Sequence, residues 1–491
     1  MKYFSSRSKL QKIDASEAIL KGLSDDGGLF VPEKFPVIDI EPLMEYSYNK
    51  MAYEIFKLYL ADFNQVKLKQ IIEQAYGNKF TVDNKVCVIE VNDKFILELF
   101  HGATLAFKDI ALSVLPYFVL EAKRIQGIDE ETVILVATSG DTGKAALEGF
   151  ANVKDIIIIV FYPEHSVSEI QRLQMITQTG DNTHVVAIKG NFDDAQRAVK
   201  EAFTNKKLKQ LLKSNKLSLS SANSINIGRL IPQIVYFFFG YMEMVRNTRI
   251  ALGDEINIVV PTGNFGNILA AYYAKKMGLP VNKLICASNE NNILTDFINT
   301  GIYDTNRAFV KTISPSMDIL ISSNLERFIF EIIDRDEDMM NKLMSELYET
   351  GKFILDKKYL NQIQTIMEGD FASERETKLV IKNCYTEHNY LLDPHTAVAY
   401  KVAEKYTKNT LIVSTASPYK FGDSILESFG ENVKVMSLDE INDKIQKISR
   451  RKVPKSLEQI EKKEIFHKTR CEIEGIERTI KEILKVGAND D

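Results

Sequence analysis

Residues 101–109 read HGATLAFKD, a short loop of small residues that leads directly into an apolar helical pattern at residues 110–125. Two apolar runs, residues 86–90 and 95–100, precede it and are spaced as a hairpin. Lys108 is unusual here, because an unpaired lysine buried at the start of a helix would be costly. Its side chain either extends into solvent, as most lysine side chains do, or is desolvated so that its amine is nucleophilic near neutral pH.

Beyond this stretch the chain alternates between β-branched apolar runs and amphipathic helical patterns. The predicted strands are residues 132–137, 155–162, 184–189, 256–260, 283–287 and 410–414. Continuous apolar strands separated by helices are typical of parallel strands that are buried on both faces. The sequence therefore predicts an α/β protein with open sheets and helices on both faces, in which ligands bind at the carboxyl ends of the strands.

Two smaller parts flank this α/β region. Residues 1–85 are mostly helical in pattern, with one packing helix over residues 51–76 and a turn followed by a short extended piece within residues 23–36. The charge-dense C-terminal end contains an amphipathic helix that we expect to pack on the body of the protein or on a second subunit. The predicted parts are an N-terminal domain at 1–85, an α/β region of two subdomains at 86–430 and a helical extension at 431–491.

The composition excludes several classes of protein. The 491 residues are 45% hydrophobic and 26% charged, as in ordinary globular proteins, and the net charge of -5 gives no reason to expect nucleic-acid binding. No apolar run is long enough to span a bilayer, and the N-terminus has no apolar leader. Four cysteines lie far apart, without C-x-x-C spacing or a disulfide framework. We therefore expect a cytoplasmic protein without membrane or nucleic-acid partners and without a bound metal.

The loop after the predicted strand 132–137 reads TSGDTG at residues 138–143. Small hydroxyl residues and free N–H groups at a helix N-terminus suit an anion such as a carboxylate. The same pattern is equally typical of an ordinary helix cap by Asp141 or Thr142.

Two further loops follow predicted strands. Residues 261–267 read PTGNFGN, in which glycines let the backbone approach a phosphate at a helix N-terminus, although a strand, a glycine loop and a helix also form plain turns. The loop is neither a Walker motif nor G-x-G-x-x-G. Residues 415–421 read TASPYKF, in which Thr415 is either a single hydrogen-bonding group or an ordinary loop threonine.

These four stretches together match one cofactor. A carbonyl-capturing lysine, an anion loop, a phosphate loop and a neutral hydroxyl would bind the aldehyde, the phosphate and the ring nitrogen of pyridoxal 5'-phosphate.

An ordered set of motifs, which runs over nearly the whole chain, resembles threonine synthase in the longer form found in fungi and many bacteria. This family belongs to the fold-type II pyridoxal-phosphate enzymes. The motifs are SSR at 5–7, EAILKGL at 17–23, DGGLFVP at 26–32, HGATLAFKD at 101–109, TSGDTG at 138–143, SEIQRLQM at 168–175, SANSIN at 221–226 with Arg229, GNFGN at 263–267, SPSMDI at 314–319, DPHTAV at 393–398 and TASPYKF at 415–421.

The resemblance implies a role for each site residue. Lys108 would bind the cofactor covalently and later serve as acid and base, and Thr415 would meet the ring nitrogen. The residues expected at the cofactor phosphate are Gly263, Asn264, Phe265, Gly266 and Asn267. The residues expected near the substrate carboxylate and the ring face are Ser139, Asp141 and Thr142. The residues expected to bind the substrate phosphate or to order a loop are Asn223, Ser224, Asn226 and Arg229, of which Arg229 could equally be a structural ion-pair partner.

The implied reaction converts O-phospho-L-homoserine and water to L-threonine and phosphate, in a monomer or a homodimer. Ser8, Lys144, Ser417 and Tyr419 depart from the family pattern and bear on the choice of substrate. The alternatives are a phospholyase that gives 2-oxobutyrate, a threonine or serine dehydratase of the same fold type, and a catalytically silent regulatory protein that binds the cofactor or an amino acid. His101 and His395 are expected to be structural hydrogen-bonding groups rather than bases.

Overall fold

The computed structural model describes residues 1–138, 140–164, 167–406 and 409–487. Asp193 is an exception within these ranges, because only its backbone is described. The strands are β1 (Tyr3–Ser5), β2 (Ser8–Ile13), β3 (Phe30–Pro32), β4 (Cys87–Val91), β5 (Lys94–Glu98), β6 (Glu131–Ala137), β7 (Ile156–Pro163), β8 (Thr183–Lys189), β9 (Leu217–Ser220), β10 (Ile256–Pro261), β11 (Val281–Ser288), β12 (Ile302–Asp304), β13 (Lys352–Ile354), β14 (Met367–Phe371), β15 (Thr410–Ser414) and β16 (Thr469–Glu472).

The α-helices lie between and around these strands. They are α1 (Ala15–Lys21), α2 (Tyr48–Tyr59), α3 (Gln65–Tyr76), α4 (Lys108–Leu112), α5 (Leu115–Gln126), α6 (Asp141–Phe150), α7 (Glu169–Ile176), α8 (Phe192–Thr204), α9 (Lys206–Ser214), α10 (Ile227–Arg246), α11 (Gly266–Lys276), α12 (Ile293–Thr300), α13 (Leu325–Ile332), α14 (Glu337–Thr350), α15 (Lys357–Ile366), α16 (Glu374–His388), α17 (Pro394–Ala403), α18 (Gly422–Ser428), α19 (Leu438–Ser449) and α20 (Ile476–Leu484).

Two open sheets form the body of the protein. One has the strand order β14-β11-β10-β15-β5-β4 and is parallel except for β4, which pairs antiparallel with β5. The other has the order β16-β8-β7-β6-β9 and is parallel throughout. The predicted hairpin, the six predicted strands and their parallel pairing are confirmed.

Strand β6 illustrates why the apolar runs are continuous. Val133 and Leu135 pack into a cluster with α8, α9 and α20, whereas Ile134 and Val136 pack on the opposite face into the main core. Since side chains alternate along a strand, a sheet that is covered by helices on both faces needs apolar residues at every position. The C-terminal helix α20 packs through Ile476 and Ile480 on the body of the protein. This is the first of the two packing arrangements expected for it.

Several local predictions were wrong or incomplete. Residues 51–76 form two helices rather than one, because the Asn64 side chain accepts the N–H groups of Val66 and Lys67 and starts α3 anew. Residues 110–125 likewise lie in α4 and α5. The C-terminal extension contains the strand β16, and the N-terminal part contains the small antiparallel sheet β2-β1-β3. These strands are short or exposed, so they carry no apolar alternation that sequence could reveal.

The longest helix, α10, runs through the centre of the protein and is buried over most of its length. Within the described ranges, no helix combines the length and the apolar character needed to cross a membrane.

Candidate active site

The candidate site lies at the carboxyl ends of β5, β6, β10 and β15, where the two parallel sheets present their loops. Lys108 is the first residue of α4. The N–H of Phe107 donates to the carbonyl of Thr415 at 2.9 Å, and the N–H of Ser417 donates to the carbonyl of Leu105 at 3.0 Å. These backbone bonds join the lysine loop to the Thr415 loop, so the two predicted cofactor residues are held side by side.

A buried group of charges surrounds the lysine. Lys108 Nζ lies 3.5 Å from Asp141 Oδ2, and Lys420 Nζ lies 3.0 Å from Asp141 Oδ1. The Lys420 side chain is 0% exposed, and its ammonium also donates to the carbonyl of Thr104 at 2.9 Å. One carboxylate therefore faces two lysines in a dry environment, where Coulombic interactions are strong.

The surroundings lower the pKa of both Lys108 and Asp141. Burial lowers the pKa of Lys108; Asp141 opposes this effect, while the positive charges of Lys420 and Arg229 add to it. Burial alone would raise the pKa of Asp141, but the attraction of Lys420 and then of Lys108 outweighs burial and holds that pKa well below its usual range. The site therefore makes it easier for Lys108 to lose its proton, beside a carboxylate that stays ionised at neutral pH.

Hydrogen bonds from two other segments fix the Asp141 carboxylate. Gln171 Nε2 donates to Oδ1 at 2.7 Å, and Ser316 Oγ donates to Oδ2 at 3.0 Å. The N–H of Ser316 donates to Nε2 of His395 at 3.1 Å, so the ring proton of His395 lies on Nδ1, 3.0 Å from Asp393 Oδ1. The expected structural role of His395 agrees with this arrangement, because both of its ring nitrogens are engaged.

Asp141 does not cap α6. The N-cap residue is Gly140, and Thr138 Oγ1 accepts the N–H groups of Gly140 and Gly143, each at 2.9 Å. The cap interpretation of the loop is therefore wrong for Asp141 and Thr142, and the Asp141 side chain is directed to the lysines instead.

The loop after β10 has the shape of an anion cradle. Phe265 adopts the left-handed region at φ 59°, immediately before α11 begins at Gly266. A Cβ on Gly263 would lie 2.4 Å from the carbonyl oxygen of Ser316, so only glycine fits there. The backbone carbonyls of Gly263 and Asn264 accept hydrogen bonds from Ser322 and Asn324, which turns the loop in a defined direction.

Helices α10 and α11 contribute further buried polar atoms. Arg229 is 3% exposed and forms no ion pair with any residue that the structure describes. Its Nε and the Nδ2 of Asn267 are buried without a hydrogen-bond partner in the described part of the chain. Tyr236 donates to Asn267 Oδ1 at 2.9 Å, which fixes the orientation of that amide. Arg229 Nη1 donates to the carbonyl of Ala222 at 2.8 Å, but the unpaired guanidinium N–H and the unpaired amide N–H are costly to bury unless an anion binds them.

The remaining predicted substrate residues have different surroundings. Asn226 caps α10 through its Oδ1 and donates from Nδ2 to the carbonyl of Ile19, so both polar atoms of its side chain are engaged. Ser224 Oγ lies 3.2 Å from Ser323 Oγ, while Asn223 is exposed and Thr142 is half-buried. Ser139 lies outside the described residues. The roles expected for these residues in substrate binding remain predictions.

Two of the residues that depart from the family pattern, Lys144 and Tyr419, bind groups outside the charge group. Lys144 Nζ pairs with Glu148 at 3.0 Å and also donates to Gln178. The hydroxyl of Tyr419 donates to the backbone carbonyl of Arg451. Both side chains therefore brace neighbouring segments.

Three residues of the site have no role predicted from the sequence: Lys420, Ser316 and Gln171. Each lies within a recognised motif, and the lysine between Tyr419 and Phe421 is conspicuous because both neighbours are apolar rings. That context indicates burial, and a buried lysine needs a carboxylate partner.

Comparisons with known proteins add the following. The family profile described as "Threonine synthase N terminus" matches residues 2–76, and the profile described as "Pyridoxal-phosphate dependent enzyme" matches residues 94–356. Threonine synthase-like 1 from Homo sapiens is 40% identical over 438 residues, which cover 85% of this chain but 58% of that protein. The chain thus spans less than two thirds of that relative.

Two other similar proteins match over most of their length. Threonine synthase from Pseudomonas aeruginosa is 36% identical over 434 residues, which cover 87% of this chain and 90% of that protein. The crystal structure of pyridoxal-phosphate-bound threonine synthase from Brucella melitensis superimposes with a TM-score of 0.85 at 34% identity, covering 98% of this chain and 99% of that one.

Proposed function

Since the chain belongs to the threonine synthase family of pyridoxal-phosphate-dependent enzymes, we propose that it converts O-phospho-L-homoserine and water to L-threonine and phosphate. The observation that carries this proposal is the pairing of a buried lysine of lowered pKa, Lys108, with an anion cradle in which the buried Nδ2 of Asn267 lacks a partner among the described residues. A lysine and a cradle of this kind are what a cofactor with an aldehyde and a phosphate requires.

The residues present fit that cofactor. The backbone of residues 263–267 and the amide of Asn267 would hold its phosphate, and the hydroxyl of Thr415 would meet its ring nitrogen. The guanidinium of Arg229, buried without a counter-ion among the described residues, would compensate negative charge in the same region. When bound, pyridoxal phosphate supplies an electron sink for the carbanion formed beside the substrate amino group.

The chain's own residues would carry the protons. Lys108 Nζ would accept and return them, because burial together with Lys420 and Arg229 lowers its pKa toward the working pH. Asp141 stays ionised and therefore orients Lys108 rather than donating a proton. Lys420 compensates the charge of Asp141, so that the negative charge of Asp141 acts mainly on its immediate neighbours.

The test is to incubate the purified protein, loaded with pyridoxal phosphate, with O-phospho-L-homoserine and to quantify threonine, 2-oxobutyrate and phosphate. Equal amounts of threonine and phosphate are expected. Formation of 2-oxobutyrate with phosphate and without threonine would assign the phospholyase reaction instead. Cofactor binding without any turnover of phosphohomoserine, threonine or serine would favour a regulatory protein.

Substitution of Gly263 by alanine tests the cradle. The new Cβ would meet the Ser316 carbonyl oxygen at 2.4 Å, so the loop must move, at a cost of about 1–3 kcal/mol in cofactor affinity. Gly266→Ala in the same loop is the matched control, because its Cβ would find its nearest neighbour, Asn324 Nδ2, at 3.5 Å. The dissociation constant for pyridoxal phosphate, measured by fluorescence titration, should rise by about 5- to 150-fold in the first variant and little in the second. Equal effects in both would contradict the steric argument.

We also propose that the protein acts in the cytoplasm as a monomer or a homodimer. Support for a reducing compartment comes from the four cysteines, which are all free. The proposed boundaries of the parts remain 1–85, 86–430 and 431–491.

A further inference from the structure

The hairpin β4–β5 brings a thiol, a carboxylate and an imidazole together on the segment that leads to Lys108. Cys87 and Glu98 are directly opposite each other in the antiparallel pairing, and His101 follows β5 by three residues. Cys87 Sγ lies 3.2 Å from Glu98 Oε2 and 3.2 Å from His101 Nε2, and those two atoms lie 3.0 Å apart. The three atoms form a nearly equilateral triangle.

We propose that Cys87, Glu98 and His101 bind a zinc ion. Around a tetrahedral zinc ion with bonds of about 2.0–2.3 Å, the ligand atoms lie about 3.3–3.6 Å apart. The observed triangle needs to widen by only a few tenths of an ångström. Thiolate and imidazole select zinc over magnesium and calcium, which prefer oxygen ligands.

Groups around the triangle orient its members in the way that metal sites require. The other carboxylate oxygen of Glu98, Oε1, accepts hydrogen bonds from Tyr390 and Arg451, each at 2.6 Å, so Oε2 is held toward the thiol and the ring. Nδ1 of His101 lies 3.5 Å from the Thr81 hydroxyl, which leaves Nε2 to face the centre of the triangle. Such partners fix the rotamer of each ligand before the metal arrives.

The charge and proton balance of binding is simple. Zinc is bound by a thiolate, so Cys87 releases its thiol proton to solvent on binding. A ring nitrogen that binds the metal carries no proton, so His101 would carry its ring proton on Nδ1. The side chain of Glu98 is 1% exposed, whereas that of His101 is 12% exposed, so a fourth ligand from solvent would enter past His101.

The position of the triangle gives the metal a structural consequence. His101 and Gly102 begin the loop that carries Lys108, and the N–H of Thr81 donates to the His101 carbonyl at 2.9 Å. A zinc ion would link both strands of the hairpin to the start of this loop.

The experiment is equilibrium dialysis of the untagged, cofactor-loaded protein against Zn²⁺, with bound metal counted by mass spectrometry. We expect one zinc ion per chain. Cys87→Ser and His101→Gln should each weaken binding by at least about 100-fold, since each removes a ligand, whereas loss of an outer partner alone costs 10- to 100-fold. Cys471→Ser, which replaces the other partly buried cysteine, should bind zinc as the wild type does.

A second readout needs no substitution. Zinc should slow the alkylation of Cys87 by iodoacetamide at least about tenfold, because a coordinated thiolate is not free to react, while Cys471 is alkylated at its usual rate. Peptide mass spectrometry distinguishes the two sites. The proposal is overturned if the wild type binds no zinc, if Cys87→Ser and His101→Gln both bind it unchanged, or if zinc leaves the alkylation of Cys87 unaffected. This test is independent of the proposed reaction.

Discussion

Lys108→Ala is expected to lower the turnover of O-phospho-L-homoserine by at least about 10⁴-fold and to abolish covalent attachment of pyridoxal phosphate. Lys108 Nζ lies 3.5 Å from Asp141 Oδ2, and the backbone N–H of the preceding residue, Phe107, donates to the carbonyl of Thr415. Alanine removes both the covalent link and the group that moves protons, so two contributions are lost at once. Reduction with borohydride followed by peptide mass spectrometry should place the cofactor on residue 108 in the wild type and on no residue in the variant.

Lys123→Ala is the matched control for this substitution. Lys123 is also buried, and burial also lowers its pKa, but its acidic neighbours include Glu131 and Asp155, which lie at the amino ends of β6 and β7. The site lies at the other side of the sheet, at the carboxyl ends of the strands. Turnover by Lys123→Ala should stay within about threefold of the wild type, since the residue touches no part of the site. Retained turnover in Lys108→Ala would contradict the assignment of the site.

Asp141→Asn is expected to lower the free energy of unfolding by about 3–5 kcal/mol at pH 7, because it leaves the fully buried Lys420 ammonium without its carboxylate. The change should appear as a lower midpoint of urea unfolding. Addition of Lys420→Met to this variant should recover most of the loss, because no unpaired charge then remains at that position. A double variant as unstable as Asp141→Asn would show that the asparagine acts through packing instead.

The difference in unfolding free energy between the wild type and Asp141→Asn depends on pH. The folded-state pKa of Asp141 lies below its unfolded value, so the stability it contributes is present above about pH 4 and is lost as the pH falls further. The difference in unfolding free energy between the wild type and Asp141→Asn should therefore be constant near neutral pH and shrink below about pH 4. A difference that instead grew on acidification would contradict the depressed pKa.

Short-range signals in the sequence were enough to predict the fold class, the parallel strands and the loops that line the site. Side chains alternate every two residues in a strand and repeat about every 3.6 residues in a helix, so a buried sheet covered by helices is visible as local periodicity. Lys108, Asp141, residues 263–267 and Thr415 were recognisable because each follows a strand, and the carboxyl ends of parallel strands meet at one edge. Short strands such as β1, β2 and β16 were not predicted, because they contain too few buried positions to show a period.

Only the tertiary structure decided which charges face each other. Lys420 and Asp141 follow strands of different sheets, and their 3.0 Å contact depends on how those sheets pack. The same holds for Arg229, whose lack of a counter-ion among the described residues follows from its position on the central helix α10. Coulombic energy depends on distance and on the surrounding dielectric, and neither quantity is encoded in the spacing of residues along the chain. The sequence therefore determined which residue types form the site. The packing of the two sheets decided which of their charges face each other and in which direction their pKa values move.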